Sequence, residues 1–240
     1  SLDQFRLEAA GETTEDYDLI YGEPQNDKPG ILTQQYHAVV GNPPYITVKD
    51  KAANSNYRDY YESCYYQYSL VCPFYERFFD LAGGPARSTE QGEMKLGGGD
   101  HRDEWPATDA GFVGMIVGNG FMKRTFGQKL IEEIIPNTDL EKVIDTSGAY
   151  IPGHGTPTVI VSGRNRNPQG DQVRAALGIR GEPSVPDDAA EAKVWSSICD
   201  HIDDAGFEND FVTFGGVDWE LFGAHPWSLG GGGVREAESM

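Results

Sequence analysis

The sequence predicts an α/β fold that corresponds to half of a doubly wound sheet. Short apolar runs typical of buried strands recur along the chain, and helical patterns lie between the earlier runs. The last two runs flank a turn rich in Gly and Pro, which is typical of an antiparallel hairpin. The predicted strands are YHAVVG at 36–41, GFVGMIVG at 111–118, LEKVIDTSG at 140–148 and TPTVIVSGR at 156–164.

Three further segments have the apolar spacing of helices. The first begins at Pro73 and ends at Gly83, since Pro is favoured in the first turn and Gly just past the end. TFGQKLIEEIIP at 125–136 is amphipathic, and DDAAEAKVWSSICDHI at 187–202 gives a third helix. VKDKAANSN at 48–56 is polar and predicts a loop.

The composition argues against several classes of protein. The net charge of −19 disfavours a general nucleic-acid-binding surface, because phosphate contacts need clustered Lys and Arg. The three cysteines form no CxxC motif and the five histidines form no HExxH motif, so neither a disulfide framework nor a metal site is predicted. No signal peptide and no apolar run of about 20 residues is present, so we expect a cytoplasmic protein without a membrane partner.

The first predicted strand ends in a motif that is suited to chemistry. Residues 39–48 are VVGNPPYITV, and proline cannot donate to a strand ladder, so the strand must end after Gly41. Ligands of open α/β sheets bind at the carboxyl ends of the strands. Asn42, Pro43, Pro44 and Tyr45 stand at such an end.

These four residues suit a planar amino group. The Asn42 side-chain oxygen and a neighbouring carbonyl are two acceptors for the two hydrogens of an NH2 group, and the prolines stiffen the turn. Tyr45 adds a flat face for stacking on a planar ring. Accepting both hydrogens steers the nitrogen lone pair out of conjugation and toward an electrophile. The alternative interpretation is a turn that only ends a strand beside a buried tyrosine.

Further blocks follow this motif in order. They are YSLVCPFYERFFDLAGG, GFVGMIVGNGFMKRTFGQKLIEEII and LEKVIDTSGAYIPGHGTPTVIV. VVGNPPY resembles the catalytic motif of amino-group methyltransferases that use S-adenosylmethionine, and the series of blocks resembles adenine-specific DNA methyltransferases of the large restriction-modification type. PGHGTPTVIVSGRN and HPWSLGGGG are most similar to the phage-growth-limitation (BREX-type) methyltransferases. The resemblance covers residues 36–167 and, more loosely, 210–234.

The resemblance implies a Rossmann-like methyltransferase sheet, of which this chain is the C-terminal half. It implies methylation of the N6 amine of adenine in DNA, within a phage-defence or restriction-modification enzyme, with S-adenosylmethionine as cofactor. The implied partners are double-stranded DNA with a flipped adenine and other phage-defence proteins. It also divides the chain into a connector (1–35), a catalytic half-domain (36–167) with a loop insertion (84–109), and a linker with a helix that leads toward a recognition domain (168–240).

The resemblance assigns roles to the turn residues by position. Asn42 accepts one hydrogen of the N6 amine through its side chain, and the carbonyl of Pro43 accepts the other. Pro44 holds the turn, and Tyr45 stacks on the flipped adenine. Residues of the hairpin turn would line the other side of the base, namely Tyr150, Ile151 or His154.

Two departures from the family pattern affect these expectations. Ser69 stands in a region where many relatives carry an acid that helps with the cofactor or the base. Neither GxGxxG nor Phe-x-Gly-x-Gly occurs before Asn42, so the cofactor-binding residues are unknown. We therefore expect a piece of a longer enzyme, or a degenerate copy, that is inactive in isolation. The alternatives are a protein glutamine N5-methyltransferase and a non-catalytic interaction module.

Overall fold

A computed structural model describes residues 34–84 and 110–231, together with residue 32 and the backbone of 88–89 and 92–93. The predicted connector (1–35) and the predicted loop insertion (84–109) lie almost entirely outside the described residues. No described helix is long and apolar enough to cross a membrane.

A mixed sheet of six strands forms the centre of the described structure. Its strands are β1 (Ala38–Gly41), β4 (Phe112–Gly118), β5 (Asp139–Asp145), β6 (Thr158–Arg164), β7 (Gln172–Gly178) and β8 (Val212–Asp218), while β2 (Ser88–Thr89) and β3 (Gly92–Glu93) pair separately. The order of the strands in the sheet is β1-β4-β6-β5-β7-β8.

The four predicted strands lie side by side in this sheet. β1 and β4 run parallel, and β6 is antiparallel to both β4 and β5. The hairpin of β5 and β6 is therefore confirmed, with Asp145 opposite Val159. Its connection spans residues 146–157, longer than a tight turn, and its base is closed by a hydrogen bond between the Thr146 and Thr158 hydroxyls at 2.7 Å. The α/β class predicted from the sequence is confirmed.

Helices form at two of the segments predicted to be helical and at one segment predicted to be a loop. The helix predicted from Pro73 is confirmed as α2 (Val71–Leu81), and the last predicted helix is confirmed as α3 (Lys193–His201). The loop predicted at 48–56 was wrong, because α1 (Lys51–Tyr60) occupies most of it. The Asp50 carboxylate caps α1 by accepting from the Ala53 N–H at 2.8 Å. α1 buries no residue, so no apolar pattern marks it in the sequence.

The segment 125–136 is amphipathic as predicted, with Leu130 buried and Glu132 exposed, but it is not a regular α-helix. It consists of a 3₁₀ turn (Thr125–Gly127), a π-helical turn (Leu130–Ile134) and a second 3₁₀ turn (Ile135–Asn137). A Cβ on Gly127 would lie 1.9 Å from the carbonyl oxygen of Phe121, so only glycine fits this close approach. Pro136 offers no N–H, and the turn before it closes by the wide bond from Ile135 to Leu130.

The described part of the segment 168–240, which was expected to be a linker with one helix, extends the sheet. β7 pairs in parallel with β5, and β8 pairs antiparallel with β7. The short helix α4 (Trp219–Phe222) follows, and Trp227 beyond it is only 2 % exposed. The sheet thus continues past the predicted boundary at residue 167. The strands QVRAALG and VTFGGVD were not predicted, because their polar ends and glycines interrupt the apolar pattern of a buried strand. A following recognition domain stays a prediction.

Candidate active site

The Asn-Pro-Pro-Tyr turn lies at the carboxyl end of β1, as predicted. Gly41, the last residue of β1, pairs with Met115 of β4. Asn42 and Pro44 are exposed, whereas Pro43 is buried. Among the described residues, none hydrogen-bonds to the Asn42 side chain, so its amide is available to a ligand.

The Tyr45 ring is held against the end of β4. Its hydroxyl donates to the Ile116 carbonyl at 3.3 Å, and its Cβ and Cγ lie 3.5 Å from the position of a Cβ built on Gly118. Burial raises the pKa of the Tyr45 hydroxyl, which keeps it protonated and able to donate at neutral pH. The side chain is half-buried, so part of the ring remains open to solvent.

The hairpin turn brings His154 to Tyr45. The two ring centroids are 5.0 Å apart, with 59° between the ring planes. The backbone N–H of His154 donates to the Ile151 carbonyl at 3.1 Å, and the backbone N–H of Asn119 donates to the Pro157 carbonyl at 3.0 Å. These bonds connect the turn both to itself and to the residue after β4. The structure therefore places a residue predicted for the base pocket in contact with the predicted stacking ring.

The other two residues predicted for the base pocket lie in the same turn. The Tyr150 carbonyl accepts a hydrogen bond from the Trp195 indole of α3 at 2.8 Å. Tyr150 and Ile151 are both half-buried. In the described part of the chain, no ring contact joins Tyr150 to Tyr45. Their roles stay predictions, as do those of Asn42 to Tyr45.

Glu76 of α2, a buried acid that the sequence did not indicate, anchors the segment before that helix, and the same segment bonds to the residue after the turn. The Leu70 N–H, just before α2, donates to the Ile46 carbonyl at 2.9 Å. Within α2, Oε1 of Glu76 accepts from the Ser63 N–H at 2.8 Å and from the Ser63 hydroxyl. Oε2 of Glu76 is buried and has no hydrogen-bond partner among the described residues. Burial raises the pKa of Glu76 to about 6, and the charge of Asp80 adds to this effect.

The arrangement can bind a planar group with an amino substituent. A free amide acceptor at Asn42 stands next to a half-buried aromatic ring that is fixed by Ile116 and His154. No described residue is assigned to the methyl donor, because no Gly-rich cofactor motif precedes Asn42 and the pocket-forming residues near the turn are polar and basic.

Comparison with known proteins supports the family resemblance. Residues 6–85 match the family model of the Eco57I restriction-modification methylase. Over 221 residues the chain is 42% identical to the adenine-specific methyltransferase PglX of Streptomyces coelicolor. The matched region covers 90% of this chain and 16% of that protein. The chain is a homologue of an adenine-specific methyltransferase. It spans about a sixth of the length of that curated relative.

Solved structures of restriction-modification proteins share the fold of this methyltransferase homologue. One is described as a modification subunit of a type I restriction enzyme from Vibrio vulnificus YJ016, with a TM-score of 0.50, 12% identity, and coverage of 79% of this chain and 37% of that chain. Another is the type IIG restriction endonuclease BpuSI, with a TM-score of 0.50, 12% identity, and coverage of 81% and 21%. At this identity the likeness concerns the fold, and it agrees with a partial Rossmann-like sheet.

Proposed function

We propose that the protein containing this chain methylates the N6 amine of adenine in DNA with S-adenosylmethionine as donor. In this proposal, the chain supplies the site that holds the target adenine. The observation that carries the proposal is the free Asn42 amide at the carboxyl end of β1, beside a Tyr45 ring that Ile116 and His154 hold in place. The 42% identity to an adenine-specific methyltransferase supports this substrate.

The chemistry of the site follows from its acceptors. The side-chain oxygen of Asn42 and the carbonyl of Pro43 accept the two N6 hydrogens of adenine, so the nitrogen lone pair leaves conjugation with the ring. A paired adenine is stacked inside the duplex, so it must be flipped out before its N6 can reach these acceptors. Tyr45 offers the flipped base a stacking surface, and His154 restricts the tilt of that surface. Hydrogen bonds and stacking together set the angle at which N6 is presented.

The proposal is tested by single-turnover methylation with three variants of the full-length protein. Asn42→Ala leaves one N6 hydrogen unpaired in the closed site, which costs about 1–3 kcal/mol, or a rate lower by about 5- to 150-fold. Tyr45→Phe keeps the ring and loses only the 3.3 Å bond to Ile116, so its effect should be small. Tyr45→Ala loses stacking of about 1–3 kcal/mol and should weaken capture of the base.

The controls separate chemistry from folding. Asn167→Ala removes an exposed asparagine at the opposite end of the sheet and should keep the parent rate. Thermal unfolding of Asn42→Ala should match that of the parent, because the Asn42 side chain is exposed and bonds to no described residue. A parent rate in Asn42→Ala, or equal damage in Tyr45→Phe and Tyr45→Ala, would contradict the assigned roles.

A further inference from the structure

We propose that Lys49, Lys51 and Ser55 form a binding site for a backbone phosphate of the DNA that carries the target adenine. This inference rests on the proposed function, because it concerns the same substrate. It assigns a local, sequence-independent DNA contact to a chain whose net charge of −19 would otherwise repel DNA.

The site is a concave surface that starts at Val48, three residues after the Asn-Pro-Pro-Tyr turn. Its lining residues are Val48, Lys49, Lys51, Asn54, Ser55 and Arg58, around a volume of about 380 Å³. The segment between the turn and this surface is held at both of its last residues, since Thr47 pairs with Ser69 and the Asn54 side-chain amide donates to the Val48 carbonyl at 3.3 Å. A phosphate bound there would lie close in sequence to the residues proposed to hold the base.

The charge of this surface is not neutralised by the protein. Among the described residues, the ion pairs of Lys and Arg involve Lys129, Lys142, Arg164, Arg166 and Arg174, and none involves Lys49, Lys51 or Arg58. The nearby acids in sequence are Asp50, which caps α1, and Asp59, and in the described structure neither forms an ion pair with Lys49, Lys51 or Arg58. Three cations therefore face solvent in a chain where acids outnumber bases by two to one, at 38 to 19.

Arg58 gives the site a fixed positive charge. Its Nε donates to Asn54 Oδ1 at 2.9 Å, and its terminal nitrogens donate to the carbonyls of Cys64, at 3.0 Å, and Tyr66. The guanidinium carbon also lies 5.2 Å from the centre of the Tyr68 ring. All of these partners are uncharged. The guanidinium is held in place without losing its charge, which lowers the entropic cost of binding an anion.

The exposed surroundings also suit a nucleic acid. The side chains of Tyr60, at the end of α1, and Tyr66, whose carbonyl binds Arg58, are 66% and 63% exposed. Tyr66 has a positive φ of 56°, a backbone conformation that non-glycine residues rarely adopt and that clusters at binding sites. Lys123 and Arg124 follow β4 at the same edge of the sheet, are exposed, and form no ion pair with a described residue. Exposed cations thus lie both in the segment that follows the turn and in the segment that follows β4.

The test is the salt dependence of DNA binding by the full-length protein. The probe is a fluorescent duplex of arbitrary sequence, because phosphate contacts do not depend on sequence. The variant Lys49→Gln/Lys51→Gln removes two contacts, so the slope of log K against log salt should become shallower by about 1.8. At about 0.1 M salt this corresponds to a loss of roughly 60-fold in affinity.

Matched variants complete the design. Lys129→Gln/Lys142→Gln removes the same charge from lysines that are already paired with acids and should keep the parent slope. Lys49→Arg/Lys51→Arg should retain the parent slope as well. An unchanged slope in Lys49→Gln/Lys51→Gln, in a protein that still methylates adenine, overturns this inference and leaves the proposed function intact. A parent protein that binds no duplex and methylates no DNA overturns both.

Discussion

Replacing Glu76 by glutamine should make the protein more stable at neutral pH. Glu76 is 2% exposed, and Oε2 of its carboxylate lacks a partner among the described residues. Burial raises its pKa from the ordinary 4.5 to about 6, so the folded state holds the proton more tightly than the unfolded chain. This difference in pKa between the folded and unfolded states corresponds to roughly 2 kcal/mol. Glutamine keeps the oxygen that accepts from Ser63 and carries no charge to desolvate.

The effect of Glu76→Gln on stability depends on pH through proton linkage. Below pH 4.5, Glu76 is protonated in both states and carries no penalty. As the pH rises through the interval from 4.5 to about 6, the unfolded chain loses the proton first, so the free energy of unfolding falls. The stability advantage of Glu76→Gln over the parent should therefore grow by about 1.5 kcal/mol between pH 4.5 and pH 7.

Urea unfolding at several pH values measures this difference. Glu62→Gln is the matched control, because it removes a carboxylate from an exposed neighbour and should keep the pH dependence of the parent. Parallel curves for the parent and Glu76→Gln would refute the reasoning, since they would mean that Glu76 is ionised equally easily in the folded and unfolded states.

Two further predictions concern packing. Trp227 is 2% exposed, and its ring centroid lies 5.4 Å from that of Phe121 and 5.0 Å from that of Phe222. Its indole N–H donates to the Phe222 carbonyl. Trp227→Ala should therefore lower the free energy of unfolding by about 3–5 kcal/mol, and Trp227→Phe should lower it by less. Equal losses in the two variants, measured by urea unfolding, would contradict this packing. Cys199 is exposed, whereas burial raises the thiol pKa of both Cys64 and Cys72, so a thiol reagent at mildly alkaline pH should label one cysteine in the folded protein and all three after unfolding. Labelling of Cys64 or Cys72 at the rate of Cys199 would be inconsistent with their burial.

The parts of the fold that follow from local pattern could be predicted. β4 and β6 are continuous apolar runs, and residues 42–45 must end a strand because proline cannot join a ladder. The position of the candidate site at the carboxyl end of β1 follows from these facts and from the α/β class. The contact of His154 with Tyr45 needed only the further knowledge that β5 and β6 form a hairpin.

The parts that depend on distant contacts could not be predicted. α1 buries no residue and is stabilised by the Asp50 cap, so periodicity gives no sign of it. Trp227 lies in a Gly-rich tail, and its burial depends on Phe121, about a hundred residues earlier in the chain. From the net charge of −19 one would expect every Lys and Arg to have an acid nearby. Only the three-dimensional structure shows that Lys49 and Lys51 form no ion pair with a described residue.

The identity of the methylated atom tests the central claim most directly. The full-length protein is incubated with DNA and S-adenosylmethionine carrying a labelled methyl group, and the DNA is then digested to nucleosides for mass spectrometry. The account predicts label in N6-methyl-2′-deoxyadenosine, with the yield reduced in Asn42→Ala and retained in Asn167→Ala. Label on protein glutamine, label on another base, or an equal yield of methyladenosine in Asn42→Ala would contradict the account.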